Sequence, residues 1–263
     1  GANIKQPLDL GNSRYLLFNG EIFNYKEFSS ATSDLSYLKS LFSKGWNNKI
    51  KSQINKWDGF WSIVYFDGKD FYCFTDPLGK KQLYYSSEGI CSEIKPLIID
   101  KKSWYHGSNR YGTFNTMFDN IYRFLPNNIY KVSGENLLVN ESDKGYYEFP
   151  SQVKDMDLIK NMQRSVERRL VNKIDNVTVF LSGGLDSTII AYHALQLLPK
   201  DKIEFISIEN AEENHIKEVE EFFDIKSKRI KVPPNEIMIK ELKDIVTAYE
   251  SSRDYGSLIP QWY

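Results

Sequence analysis

The stretch VTVFLSGGLDSTIIAYHALQLL, residues 177–198, constrains this chain more than any other. A short apolar run passes through two adjacent glycines into a longer apolar-polar stretch, the pattern of a strand, a tight turn and a helix. Strands are expected at 177–181, 203–208 and 228–232, and helices at 187–198, 212–223 and 235–250. This alternation argues a parallel α/β sheet. The first strand is expected to be buried, and the helix after it to present an apolar face at Ile190 and Ala194. Upstream, DLIKNMQRSVERRLVNK places Ile159, Met162, Val166 and Leu170 on one helical face.

The first half of the chain follows a different period. RYLLFNG, GFWSIVYFDG, KDFYCFTD, KQLYYSSEG and GICSEI read as short strands bounded by Gly, Asp or Asn. SDLSYLKSLFSKG interrupts them as a helix, with Ser33 as cap, Leu35, Leu38 and Phe42 on one face, and Gly45 beyond its end. A second helix is expected near 47–56, and RFLPNNIYKVSGENLLVNE should close this region as a hairpin. The change of period places a domain boundary near 150, giving domains at 1–150 and 151–263.

The turn at 182–187 holds the first chemistry. A helix N-terminus exposes unpaired amides and about half a positive charge. Gly183 and Gly184 leave room for a polyphosphate to approach the backbone, and Ser182 and Ser187 add hydroxyls. Asp186 carries the wrong sign for a phosphate, so its natural task is to hold Mg²⁺ against one. The turn lacks the Lys of GxxxxGK[ST] and the third glycine of a dinucleotide fingerprint. Ser-Gly-Gly alone also suits an ordinary tight turn with a serine cap.

Composition removes other classes. Lys and Arg total 34 against 35 Asp and Glu, so no broad nucleic-acid or acidic-membrane footprint is expected. No apolar run approaches the ~20 residues of a membrane span, and the chain is expected to be soluble and cytoplasmic. Cys73 and Cys91 are expected to be buried reduced thiols, and His106, His193 and His215 lack ligand spacing.

With these motifs in hand, the sequence resembles the PP-loop ATP pyrophosphatases, and within them the asparagine synthetase family. VERRLVNKIDNVTVFLSGGLDSTIIA, EFISIEN, HIKEVEEFFDIKSKRIKV and YESSRDYGSLIPQWY are similar to successive segments of its synthetase domain. FNGEIFNYKEF, KWDGFWSIVYFDG, TDPLGKKQLYY and CSEIKPL look like the glutamine amidotransferase domain that precedes it. The resemblance implies an α+β first domain, N-terminal-nucleophile-hydrolase-like with antiparallel sheets and helices, followed by an α/β parallel-sheet PP-loop domain. It implies ATP and Mg as cofactors, with ATP at Leu181, Ser182, Gly183, Gly184, Asp186 and Ser187, and adenine read by the backbone near Ile208. It implies that Asn19 and Gly20 form an oxyanion hole and that Glu21 and Asp58 grip the glutamine amino group. That suits their chemistry, because amide donors stabilise an oxyanion and carboxylates pair with an ammonium. The activity implied is an ATP-dependent amide-forming ligase that activates a carboxylate as an acyl-adenylate. Its partners would be small molecules: ATP, a carboxylate such as aspartate, and glutamine or ammonia. A homodimer stays open.

The chain also departs from the family. It begins at Gly1, where the amidotransferase nucleophile would be an N-terminal Cys, and it reaches Asn19 early. Cys73 and Cys91 lie in other stretches, Thr75 stands where the family has Arg, and Gly256 stands where relatives show another Arg. No second acidic motif or adenylation Lys follows Trp262 and Tyr263. The expectation is a middle portion of a longer enzyme that does not hydrolyse glutamine as it stands. The alternatives are a relative that closes lactam or peptide rings with another amine, and a nucleotide-binding remnant.

Overall fold

The computed structural model describes residues 5–98, 114–116, 118–134, 139–149, 157–170, 176–209 and 213–249. The chain divides into two compact units, Gly1–Ser151 and Gln152–Tyr263.

In the first unit, alternation builds the sheet. The strands are β1 (Leu8–Asp9), β2 (Tyr15–Ile22), β3 (Gly59–Phe66), β4 (Asp70–Thr75), β5 (Tyr84–Ser86), β6 (Gly89–Cys91), β7 (Tyr122–Arg123), β8 (Asn128–Ser133) and β9 (Val139–Lys144). They form a six-stranded antiparallel sheet, β1-β2-β3-β4-β8-β9, and a small sheet, β6-β5-β7. Side chains of one parity, including Leu16, Phe18, Trp61, Ile63, Tyr65 and Phe74, face two helices, α1 (Asp34–Phe42) and α2 (Asn48–Ile54). Leu38, Phe42, Ile50 and Ile54 fill that layer and are fully buried. Each such side chain contributes about 1.5–3 kcal/mol relative to exposure. The other parity, Cys73, Tyr130 and Val132, packs with Leu83 and Phe124 beside the small sheet.

Both helices start where the sequence says. The Ser33 hydroxyl accepts from the Ser36 amide at 3.1 Å. The Asn47 side-chain oxygen, Oδ1, accepts from the Lys49 amide at 2.9 Å. Either cap satisfies an amide that the helix cannot.

In the second unit, β10 (Val177–Phe180), β11 (Ile203–Ile208) and β12 (Ser227–Ile230) pair in parallel in that order. Helices α3 (Leu158–Leu170), α4 (Leu185–Leu197), α5 (Glu213–Phe223) and α6 (Asn235–Tyr249) precede, link and follow them. Val179, Leu181, Ala191, Ala194, Ile203, Phe205 and Ile216 form the core.

Four expectations need correcting. The strand at 177–181 is not buried along its length, since Phe180 is 75% exposed and only Val179 and Leu181 are enclosed. Ile190 is 47% exposed, and the inward face of α4 runs through Ala191 and Ala194 instead. The α3 stripe is covered only in part: Ile159 is 69% exposed while Met162, Val166 and Leu170 are half-buried. Both cysteines are free, but Cys91 is half-buried and only Cys73 is enclosed. Among the described residues, no helix is long and apolar enough to cross a membrane.

Candidate functional site

The loop between β10 and α4 is built by backbone hydrogen bonds on one side and hydroxyls on the other. The Leu181 amide donates to the Ile206 carbonyl at 2.7 Å, which extends the β10–β11 pairing one residue past the strand. Gly184 then caps α4 in an extended conformation, φ −75° and ψ 163°. The helix therefore begins at Leu185, two residues before the expected start, and Asp186 and Ser187 fall in its first turn. The Ser182 amide donates to the Ser187 hydroxyl at 3.2 Å, the two hydroxyls lie 3.0 Å apart, and the Ser187 hydroxyl donates to the Gly184 carbonyl at 3.1 Å. Thr188 donates to the same carbonyl at 2.8 Å.

Gly183 is required by its surroundings. Its φ of +79° is left-handed, and a Cβ there would lie 2.8 Å from the Ile216 amide nitrogen. The loop thus runs against the first turns of α5 without a side chain between them. Asp186 is exposed, and no ion pair among the described residues holds it. Ile208 ends β11 at the same carboxyl edge of the sheet, because Phe180 pairs with Ile206 and the next residues continue that register. Leu181 through Ser187 and Ile208 therefore share one sheet edge, where parallel α/β sheets bind ligands.

A polar chain supports this edge from below. The buried Ser207 hydroxyl donates to the Leu181 carbonyl at 2.7 Å and lies 2.7 Å from the Ser227 hydroxyl. Ser227 donates to Glu220 at 2.6 Å, and Arg229 bridges Glu220 at 2.8 Å and Glu213 at 3.0 Å. Sequence reasoning passed over Ser207; its only signal is a hydroxyl at an inward position of EFISIEN. The Arg229 hydrogen bond, foremost, holds the Glu220 carboxyl down at about 2. A depressed carboxyl stabilises the fold above its unfolded value, and that stability is lost as pH falls through the folded one. Acid unfolding of the second unit is therefore expected to gain a component between about pH 4.5 and pH 2, absent in Glu220→Gln and measured by circular dichroism against pH.

In the first unit, Asn19, Gly20 and Glu21 lie toward the end of β2, and Asp58 precedes β3 beside them. The Phe23 amide donates to the Asp58 carbonyl at 2.8 Å. Asn24, also missed from sequence, organises this end: its buried side chain accepts from the Asp58 amide at 2.8 Å and donates to the Lys56 carbonyl at 3.0 Å. Asn19 is exposed, while Gly20, Glu21 and Asp58 are half-buried. Burial first, and the Glu21 carboxylate among lesser causes, raises the Asp34 carboxyl nearby. Carboxylates gathered at one sheet end suit a cationic ligand group. Gly20 and Gly59 allow β2 and β3 to pass closely, since a Cβ on either would lie 2.0 or 2.1 Å from a carbonyl oxygen of the other strand.

Thr75 is buried at the end of β4 and donates to the Asp76 carbonyl at 3.4 Å. The buried Asp76 carboxylate collects the amides of Leu78, Lys80 and Lys81 at 3.0–3.1 Å and so shapes the DPLGKK turn. Burial pushes the Cys73 thiol up, which makes it a poor nucleophile. Gly1, His106, Gly256, Trp262 and Tyr263 lie outside the described residues.

A metal here would rest on Asp186 with ligand oxygens and water, because no cluster of three or more His, Cys, Asp or Glu among the described residues could hold one. One carboxylate with substrate phosphates and waters is a coordination that Mg²⁺ accepts, so the exposed Asp186 fits that ion.

Comparison with known proteins agrees with the two units. Residues 2–98 match the family model described as glutamine amidotransferase domain, and residues 157–263 match asparagine synthase. Solved structures that the chain resembles include a glutamine phosphoribosylpyrophosphate amidotransferase from B. subtilis, at 14% identity and TM-score 0.35, over 76% of this chain and 47% of that one. A structure titled the allosteric regulatory enzyme of purine biosynthesis matches at 15% identity and TM-score 0.38, over 89% and 51%. A glutamine aminotransferase class-II domain protein from Silicibacter pomeroyi matches at 12% identity and TM-score 0.35, over 56% and 74%. The chain spans about half the length of the first two. No curated protein matches it.

Proposed function

We propose, for a chain that joins a glutamine amidotransferase domain to an asparagine synthase domain, an ATP-dependent ligase that makes an amide from a carboxylate. The carboxylate, for example that of aspartate, attacks the α-phosphate of ATP, and the α–β phosphoanhydride bond breaks to release pyrophosphate. An amine then attacks the acyl carbon of the adenylate, AMP leaves, and the amine loses a proton. The supporting observation is the Leu181–Ser187 loop, where glycines, hydroxyls and a helix N-terminus meet at a sheet's carboxyl edge.

In this reading the amides of Gly183 and the first turn of α4 bind the β- and γ-phosphates, which leave together. Ser182 and Ser187 hold the loop open for them, and the backbone near Ile208 reads adenine. Asp186 holds Mg²⁺, which when bound neutralises phosphate charge. In the first unit, the Asn19 side-chain amide and Gly20 backbone would stabilise an oxyanion on glutamine, with Glu21 and Asp58 on its ammonium. The amine is ammonia from glutamine where an active amidotransferase supplies it, and free ammonia otherwise.

The test is product analysis with Mg-ATP, aspartate and ammonia, then with glutamine in place of ammonia. Formation of AMP and pyrophosphate dependent on the carboxylate is the expected result. ADP and phosphate would refute the adenylation reading, since they require cleavage of the other anhydride bond.

A further inference from the structure

Where the end of β4 meets β7, the surface of the first unit holds an open pocket of about 70 Å³ bounded by Thr75, Leu78, Gln82, Arg123 and Leu125 among others. Such a space is far below the ~300 Å³ of a nucleotide- or drug-sized pocket, yet it exceeds what one water needs. Among the described residues that line it, only Arg123 is charged. The Tyr84 ring covers one face of its guanidinium, with the ring centroid 5.8 Å from Cζ. Its Nε is buried without a hydrogen-bond partner, and no carboxylate among the described residues pairs with the side chain.

This arrangement is unbalanced. Guanidinium nitrogens only donate, so the buried Nε–H has no other role to take. A buried donor without an acceptor, and a partly buried charge without a counterion, both cost stability. Water in the pocket would solvate the terminal guanidinium nitrogens, which unlike Nε are not buried, but would supply no negative charge. The Gln82 carbonyl oxygen already accepts from the Tyr84 hydroxyl, which leaves the Gln82 amide as a second donor for the pocket. The remaining lining, Leu78, Phe124, Leu125 and Pro126, is apolar.

We propose that the pocket formed by Thr75, Gln82 and Arg123 binds the carboxylate end of a small organic acid. One guanidinium balances one negative charge, and its planar fork matches a carboxylate; a phosphate dianion would meet no second cation among the lining residues. The site is separate from the Asn19–Asp58 end. Thr75 pairs with Ser62, and Ser62 with Asn19, so two strand spacings, about 10 Å, lie between them. The proposal holds whether or not glutamine is a substrate.

Titration of the ¹⁵N-labelled protein with acetate, and separately with inorganic phosphate, while following the Arg123 Nε–H resonance and, in every variant, the backbone amides of residues 75, 82 and 123, tests it. Acetate should shift that resonance saturably, phosphate should bind at least tenfold more weakly, and Arg123→Gln should abolish acetate binding. Should Arg123→Gln fail to fold, Leu78→Glu answers the same question, because Leu78 is 65% exposed at the rim. Its tethered carboxylate should weaken acetate at least tenfold. No saturable shift, phosphate binding as tight as acetate binding, or unchanged acetate affinity in Leu78→Glu would each overturn the site.

Discussion

Asp186→Ala should remove most of the gain that Mg²⁺ gives to ATP binding, on the order of a hundredfold in affinity, or about 2.7 kcal/mol. The structure places Asp186 in the first turn of α4, exposed and without an ion pair among the described residues, so its carboxylate is available to a cation. In EDTA the same substitution should leave ATP binding unchanged or slightly improved. A carboxylate beside polyphosphate is repulsive when no metal lies between them. Ser187→Ala is a graded control: it removes the contacts to Ser182 and Gly184 and should cost only ~1 kcal/mol. Calorimetric titrations of the three proteins, with Mg²⁺ and with EDTA, separate these outcomes. Equal or tighter Mg-ATP binding in Asp186→Ala would rule out the metal role and leave a plain anion turn.

Gly20→Ala should destabilise the first unit by more than about 3 kcal/mol, beyond the usual cost of overpacking. The added Cβ would lie 2.0 Å from the Phe60 carbonyl oxygen and 2.7 Å from the Trp61 Cα, and backbone cannot turn aside as a flexible side chain does. Relief requires β2 and β3 to separate, which breaks the longest strand pairing of the six-stranded sheet. Gly59→Ala meets the Glu21 carbonyl at 2.1 Å and should do the same. The double variant should cost clearly less than the sum, because one separation of the strands relieves both overlaps. Urea unfolding followed by tryptophan fluorescence measures all three. A loss below 1 kcal/mol for Gly20→Ala would show that the strands do not run this close.

These two residues also show how far the sequence could be read. Asn-Gly and Asp-Gly resembled a functional motif, and their glycines also have a steric reason in the close β2–β3 pairing, one that the sequence alone does not display. The helix start at Ser33 was legible because a cap is local chemistry, decided within four residues. The parallel sheet was legible because strand and helix periods alternate plainly after 157. The inward face of α4 was not: LDSTIIAYHALQL carries apolar side chains on several faces, so spacing alone could not prefer Ala191 over Ile190. Ser207, Asn24 and Arg123 were invisible for another reason. Their partners lie 26, 34 and 39 positions away, at Leu181, Asp58 and Tyr84, and only the fold brings them together.

The central claim is that the loop from Leu181 to Ser187 holds the phosphates of Mg-ATP. The most direct test is an amide ¹H–¹⁵N titration of the assigned protein with Mg-ATP, Mg-pyrophosphate and AMP. Mg-ATP and Mg-pyrophosphate should both shift Gly183, Gly184, Asp186 and Ser187 saturably, while AMP should move Ile208 and leave those four amides nearly still. Saturable Mg-ATP shifts that spare the four loop amides, or none anywhere in the second unit, would contradict the claim.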